Sequence, residues 1–426
     1  MKNKIPKSLR SLCSEAAVYG KALLKWLLLA AVVGVLSGVT GSLFHHGVDH
    51  ATAFRREHSW IVWLLPLSGL VIVGLYKLAR TEGQGTNDIF DAVRQGRPVA
   101  FLLLPSIFFS TIITHLFGGS AGREGAALQM GGVLGYHTGR LFHFDDCDLR
   151  TATMAGMAAF FTALFGTPVG ASVFAIGVIS VGTIHHAAMI PCLAASLASF
   201  GVSQLMGVVP THFSVDSPPL SVQTALAAAV LAALCGLLSV LFCETMHFTG
   251  NQFAKYIKNP WFRVLAGGMV IVLLSALLKT SDYNGAGMDV ITAAVEQGTA
   301  RPGAFLLKLV FTAITLAAGF KGGEVVPSFF IGATFGCTVG PLLGLPPGFA
   351  GAIGLISVFC GATNCPLASV FLSVELFGGD GMLYFALACG LSYMLSGYSS
   401  LYTSQDILYS KLKDSFETGK SRTTAK

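Results

Sequence analysis

Two glutamates stand where an apolar sequence should hold no charge. Glu124 lies in Gly122-Arg123-Glu124-Gly125, after a run from Val99 to Gly122 with no Asp, Glu, Lys or Arg. Glu324 lies in Gly322-Gly323-Glu324-Val325 and opens a run from Val325 to Val374 that is equally uncharged. Each begins an apolar stretch after a Gly-rich turn, which places it at a helix N-terminus. An ionisable residue at membrane depth is a functional hypothesis by default. A carboxylate at a helix N-terminus occupies the positive end that an anion would take. It can move aside, or take up a proton and leave, and so serve both as an anion gate and as a proton carrier. Burial disfavours its ionised form while N–H donors favour it, a tension suited to a group that must exchange protons. The bland alternative is a cap on the first-turn N–H groups. For one glutamate the two readings stand even; for two at duplicated positions, function is preferred.

The duplication rests on three landmarks. Gly83-Gln84-Gly85-Thr86-Asn87-Asp88 returns as Gly285-Ala286-Gly287-Met288-Asp289-Val290, and the Glu124 motif returns at Glu324. The segment from Thr167, TPVGASVFAI, returns from Cys365 as CPLASVFLSV. The order is kept, at a spacing of about 200 residues, as in many transporters built from repeats. Matched breaks at Gly166 and Pro168, and at Gly361 and Pro366, imply broken helices whose freed N–H groups line a cavity or are buried in protein. Close helix packing explains many of the 50 Gly, but not matched clusters that carry a carboxylate.

Composition sets the frame for these elements. Of 426 residues 53% are hydrophobic and 11% charged, against about 25% charged in a soluble domain. Between Arg150 and Glu244 the one charged residue is Asp216. Disorder and nucleic-acid binding are excluded, and a water-soluble enzyme is argued against. A spanning helix needs roughly 20 apolar residues, so the chain reads as an all-α polytopic membrane protein. The expected organisation is a cytoplasmic segment over 1–20, a first membrane repeat over 21–210, a second over 211–410, and a short cytoplasmic tail over 411–426 with no regulatory domain. Lys21 and Lys25 before the first apolar run, and Lys411, Lys413, Lys420, Arg422 and Lys426 in the tail, place both ends in the cytoplasm. The net charge of +6 comes mostly from these flanks and suits an anionic inner leaflet.

Other candidates carry little. The nine Cys contain no CxxC pair and read as small buried hydrophobes. His46 and His50 share a helical face at ligand spacing without a completing cluster, and His185 and His186 receive no role. No nucleotide loop occurs, and no cofactor or metal is expected. Arg123 and Lys321 either add positive potential along an anion route or are structural, and the structural role is preferred. Glu375 closes an apolar helix and reads as a structural hydrogen-bonding group, while Glu244 and Asp216 are placed near helix ends or in loops.

From about residue 20 to 410 the sequence resembles the CLC family of chloride channels and anion/proton exchangers. Gly122-Arg123-Glu124-Gly125 matches the family's GREGP-type motif, with Ala126 where Pro is usual. Gly83 to Asn87 aligns with the GSGIP motif, and Gly323 to Pro327 with GxFxP. The resemblance implies a homodimer of subunits with their own pathways, built from two inverted repeats with broken and re-entrant helices. It implies that Glu124 is the gating glutamate and that Tyr402, rather than Tyr398, is the central anion-binding tyrosine. Gln84, Gly85, Thr86, Asn87, Gly125 and Val325 fall on the anion-binding motifs.

Three departures stand out. Gln84 replaces the family's serine, Glu324 replaces an apolar residue, and Gly177 and Val178 stand where chloride/proton exchangers carry an inner glutamate. This combination is similar to the bacterial fluoride/proton antiporter branch, in which the GGEV-type glutamate is implicated in proton coupling; that branch often carries Met at the position of Gln84. The implied function is export of fluoride against proton entry, in the inner or plasma membrane. Fluoride is tightly hydrated, so its site must replace strong hydrogen bonds. A chloride/proton exchanger or chloride channel is the alternative on the same scaffold. A membrane-embedded hydrolase using Glu124 and Glu324 finds no supporting motif, and a passive scaffold leaves both glutamates unexplained.

Overall fold

The computed structural model describes residues 7–411 and 416–420, with side chains for residues 15–411. The N-terminal basic residues before Lys7, and Lys413, Arg422 and Lys426 of the tail, lie outside the described residues. Among the described residues sixteen α-helices fall into two sets of eight. The first set is α1 (Lys7–Glu57), α2 (Leu65–Leu78), α3 (Thr86–Gln95), α4 (Leu103–Leu116), α5 (Glu124–Leu141), α6 (Asp146–Phe165), α7 (Pro168–Gly177) and α8 (Met189–Leu205). The second is α9 (Val222–Tyr256), α10 (Pro260–Leu278), α11 (Met288–Glu296), α12 (Ala304–Ala318), α13 (Val325–Val339), α14 (Pro347–Thr363), α15 (Pro366–Phe377) and α16 (Met382–Leu395).

The packing partners repeat between the sets. Helix α5 packs on α6 as α13 does on α14, α1 on α8 as α9 does on α16, and α3 on α5 as α11 does on α13. Equivalent helices also meet each other: α2 with α10, α7 with α15, and α5 with α13. Small residues make the closest pairs possible. A Cβ on Gly156 would lie 2.0 Å from the Gly131 carbonyl oxygen, and one on Gly354 would lie 2.1 Å from that of Gly332. The two halves therefore repeat one packing scheme and meet through equivalent helices.

Helix length separates spans from half-spans. Among the described residues six helical stretches are long and apolar enough to cross a membrane, including Glu15–Glu57, Val222–Tyr256 and Val325–Leu343. Others are short: α7 and α15 have 10 and 12 residues, below the roughly 20 needed to span. Each starts from a proline, whose missing N–H costs nothing in a first turn. Each follows a left-handed residue that ends the preceding helix, Gly166 at φ 72° and Asn364 at φ 59°. Glu375 secures one such start. Its carboxylate accepts the N–H groups of Val169 at 2.9 Å and Gly170 at 2.7 Å, so the second half caps α7 of the first.

One element was not anticipated from the sequence. Strand β1 (Ser180–Val181) pairs parallel with β2 (Asp406–Tyr409), and β2 pairs antiparallel with β3 (Phe416–Lys420). The small sheet anchors the segment that follows α16 beneath the end of α7.

Candidate functional site

The two glutamate motifs are joined backbone to backbone. Gly122 N–H donates to the Gly323 carbonyl at 2.7 Å, and Gly323 N–H returns the bond to Gly122 at 2.8 Å. No side chain fits in this bridge: a Cβ on Gly323 would lie 2.2 Å from the Gly125 nitrogen. Gly323→Ala is expected to destabilise the protein by more than the roughly 1–3 kcal/mol of ordinary core overpacking, because the obstacle is backbone. A lower Tm in detergent is the readout, and an unchanged Tm would refute so close a junction.

Glu124 is the first residue of α5 and is 1% exposed. Its Oε2 accepts the Arg123 N–H at 2.9 Å, while Oε1 has no hydrogen-bond partner. Arg123 Nε lies 3.7 Å from that free oxygen, and its guanidinium also bonds Asp49 at 3.0 Å. Glu324 immediately precedes α13 and takes none of the bonds a side-chain cap would make. Its Oε2 reaches to 3.5 Å from where a Cβ of Gly125 would stand. The first-turn N–H groups of α5 and α13, including those of Gly125 and Val325, have no acceptor within their own helices. Two inverted helix ends thus face each other, each with a carboxylate at the junction.

Tyr402 lies on the segment that follows α16. It is 2% exposed, and its hydroxyl has no hydrogen-bond partner among the described residues. Phe90 of α3 meets its ring edge-on at 4.9 Å. A buried polar network sets its position. Gln405 donates to the carbonyls of Val178 and Thr363, and its Oε1 accepts from Ser400 and Asn364. Ser400 Oγ in turn accepts the Tyr402 N–H at 3.1 Å. Tyr398, by contrast, has its hydroxyl 3.1 Å from Ser410 Oγ.

The start of α3 adds polar groups, but fewer free donors than expected from the sequence. The Gly85 N–H is engaged by the Asp88 carboxylate at 2.8 Å. The Asn87 side-chain oxygen holds the Ser404 N–H at 3.0 Å and so braces the Tyr402 segment. Thr86 Oγ1 accepts from Gln129 of α5 at 3.0 Å, and Gln84 is partly exposed with no side-chain hydrogen bond among the described residues. Gln129 is buried with its Oε1 unpartnered. Sequence reading passed over it as an interior helix residue.

A cavity of about 320 Å³ leads to Glu124, with Arg55, Arg56, His115 and Arg123 among its walls. Arg55 donates to the His115 carbonyl, and His115 Nε2 is buried and unpartnered. The loop before α11 is stapled above it. Asn284 donates to the Gly118 carbonyl at 2.6 Å, and the fully buried Lys308 donates to those of Tyr283 at 3.2 Å and Gly285 at 2.6 Å. Lys308 had a readable signal, a lone cation in the apolar helix AFLLKLVFTAITLAA. Gly177 lines a separate cavity of about 210 Å³ at the start of α15. It is the duplicate of Glu375, so the first half lacks the carboxylate that the second uses as a cap. His46 and His50 spend ring nitrogens on the carbonyls of Met206 and His46.

Known proteins share this architecture. The profile of the family described as Voltage gated chloride channel matches residues 68–397. A Chloride/fluoride channel protein of Pseudomonas syringae pv. tomato is 37% identical over 91% of this chain and 87% of its own. An H(+)/Cl(-) exchange transporter ClcA of Vibrio cholerae is 27% identical over 82% of this chain and 81% of its own. The crystal structure of a CLC-type fluoride/proton antiporter superposes with a TM-score of 0.87 at 32% identity, covering 90% of this chain and 98% of that one.

Proposed function

Since the chain belongs to the voltage gated chloride channel family, we propose that it is a membrane transporter that exports fluoride in exchange for protons. The observation that carries this reading is the pair of duplicated carboxylates, Glu124 and Glu324, held at one buried junction by the Gly122–Gly323 backbone bridge. In this reading Glu124 is the gate and the external proton-exchanging group. Glu124 lines the cavity of about 320 Å³, and its Oε1 has no hydrogen-bond partner among the described residues. Glu324 carries protons across the junction, which relieves the chain of an inner carboxylate at Gly177. The anion rests between the glutamates, held by the Tyr402 hydroxyl, the N–H groups of Gly125 and Val325, and polar groups of Gln84, Thr86 and Asn87. Unsatisfied donors in a dry site suit a small, strongly hydrated anion. The printed names of the relatives, a chloride/fluoride channel protein and a fluoride/proton antiporter, support the same choice. The likeness to a chloride/proton exchanger favours the second reading, chloride exchange on the same scaffold.

The subunit is read as half of a homodimer with its own pathway. Exposed apolar side chains on α8, α15 and α16, such as Ile190, Phe371 and Leu387, offer a face for it. Both termini are placed in the cytoplasm by their basic flanks.

Anion efflux from reconstituted liposomes tests the selectivity. Fluoride is expected to leave at least roughly tenfold faster than chloride, a difference of about 1.4 kcal/mol, with proton uptake in parallel. Equal rates would return the protein to the chloride reading.

A further inference from the structure

The paired helices α2 and α10 expose an apolar face along their seam. Leu67, Val71 and Leu78 on α2, and Phe262, Met269 and Leu273 on α10, are all exposed. At the end where α2 finishes and α10 begins lies a cavity of about 540 Å³. Its walls carry Lys77, Lys258, Arg263 and Lys321 against the single carboxylate of Glu82. Among the described residues none of these four cations is in an ion pair. Two further donors on lining residues lack a hydrogen-bond partner among the described residues, the Tyr76 hydroxyl, on a residue 4% exposed, and Arg263 Nε. Lys321 sits over the Tyr76 ring at 4.3 Å, a contact that holds the cation in place.

A buried donor with no acceptor is costly, and four unpaired cations at one spot repel each other. Both costs are relieved by a ligand with several anionic oxygens. The two-fold mate of this cavity, about 350 Å³ at the opposite end of the seam, is lined by Arg55, Arg56 and Lys279. There Arg55 is taken by the His115 carbonyl and Arg56 by Asp289. Among the described residues the mate therefore keeps one unpaired cation, Lys279, against four at the end where α2 finishes. That end also lies on the side where α1 begins, because Glu15–Glu57 and Ser59–Leu78 are successive spans. Trp261 lines the cavity as well, and an amphipathic aromatic ring is at home at headgroup level.

We propose that this cavity binds the phosphate headgroup of an anionic phospholipid, whose acyl chains lie along the exposed α2–α10 seam. Free phosphate would satisfy the same cations, but would leave the apolar groove and most of the volume unused. Basic pockets between spanning helices are a recurrent place for such headgroups. The inference concerns α2, α10 and Lys321, and does not depend on which anion the protein carries.

Native mass spectrometry of the full chain in detergent, with phosphatidylglycerol or phosphatidylcholine added, tests it. The wild type is expected to retain phosphatidylglycerol and not phosphatidylcholine. The double variant Lys77→Gln/Lys258→Gln changes two exposed side chains, so its fold should survive. Its retention is expected to fall on the order of tenfold or more, the scale for removing two cations from an anionic lipid. Tyr76→Phe, which removes only the unpartnered hydroxyl, should also lower retention. Lys255→Gln, exposed and outside the cavity, should leave it unchanged. Undiminished retention in the double variant, or equal retention of both lipids, overturns the proposal. So does a rise in Tm with inorganic phosphate alone that matches the rise with phosphatidylglycerol, since the ligand would then be the free ion.

Discussion

Glu124→Gln is expected to abolish proton movement while leaving the protein folded. Glutamine has nearly the shape of the protonated acid and can neither release nor accept the proton that the cycle needs. Its side-chain oxygen can still accept the Arg123 N–H that Glu124 Oε2 now takes. Arg123 keeps its bond to Asp49, so the loss of Glu124's charge strands no cation. The change therefore removes a proton carrier with little structural cost. Losing a positioned proton-transfer group costs roughly 10²–10⁴-fold, and fluoride-driven proton uptake should fall by at least the lower figure. The readout is pH inside liposomes carrying an outward fluoride gradient, with the size-exclusion profile as the control for folding. Proton-coupled uphill transport at the wild-type rate would remove Glu124 from the proposed cycle.

Much of this site was legible in the sequence because duplication leaves marks that survive folding. The Glu124 and Glu324 motifs could be matched by spacing alone, and the structure joins those same residues through the Gly122–Gly323 bridge. Glu375 read as a structural group from its place at a helix end, and it caps α7. Which helix it caps was not legible, because its partners Val169 and Gly170 lie in the other half. The donors at the start of α3 were harder still. Whether the Gly85 N–H is free depends on the rotamer of Asp88, a local competition between an anion and a nearby carboxylate that no motif records. Arg55 and Asn284 escaped notice because their partners are backbone carbonyls far along the chain. Carbonyls carry no sequence signature. The small sheet was missed for a similar reason: two-residue β1 is too short for an alternating pattern, and it pairs with a strand more than 200 residues away.

Glu324→Gln separates the proposed proton carrier from a purely structural residue. A cap-only role predicts a mild phenotype, since glutamine retains an acceptor oxygen. The geometry already weakens that role, because the Glu324 side chain caps nothing in its own helix. What the carboxylate does face is the other half: it approaches Gly125 at the start of α5. A charge in that place costs desolvation and brings no structural bond in return. Natural sequences keep such residues where function requires them. Substitution should therefore spare folding, or even raise Tm slightly, while fluoride turnover or proton movement falls by roughly 10²-fold, as for other lost proton-transfer groups. Flux, Tm and elution volume measured on the same preparation decide the matter. Full transport with wild-type stability would reduce Glu324 to a bystander, and the proton path would then have to run through Glu124 alone, with no second carboxylate at Gly177 to receive it.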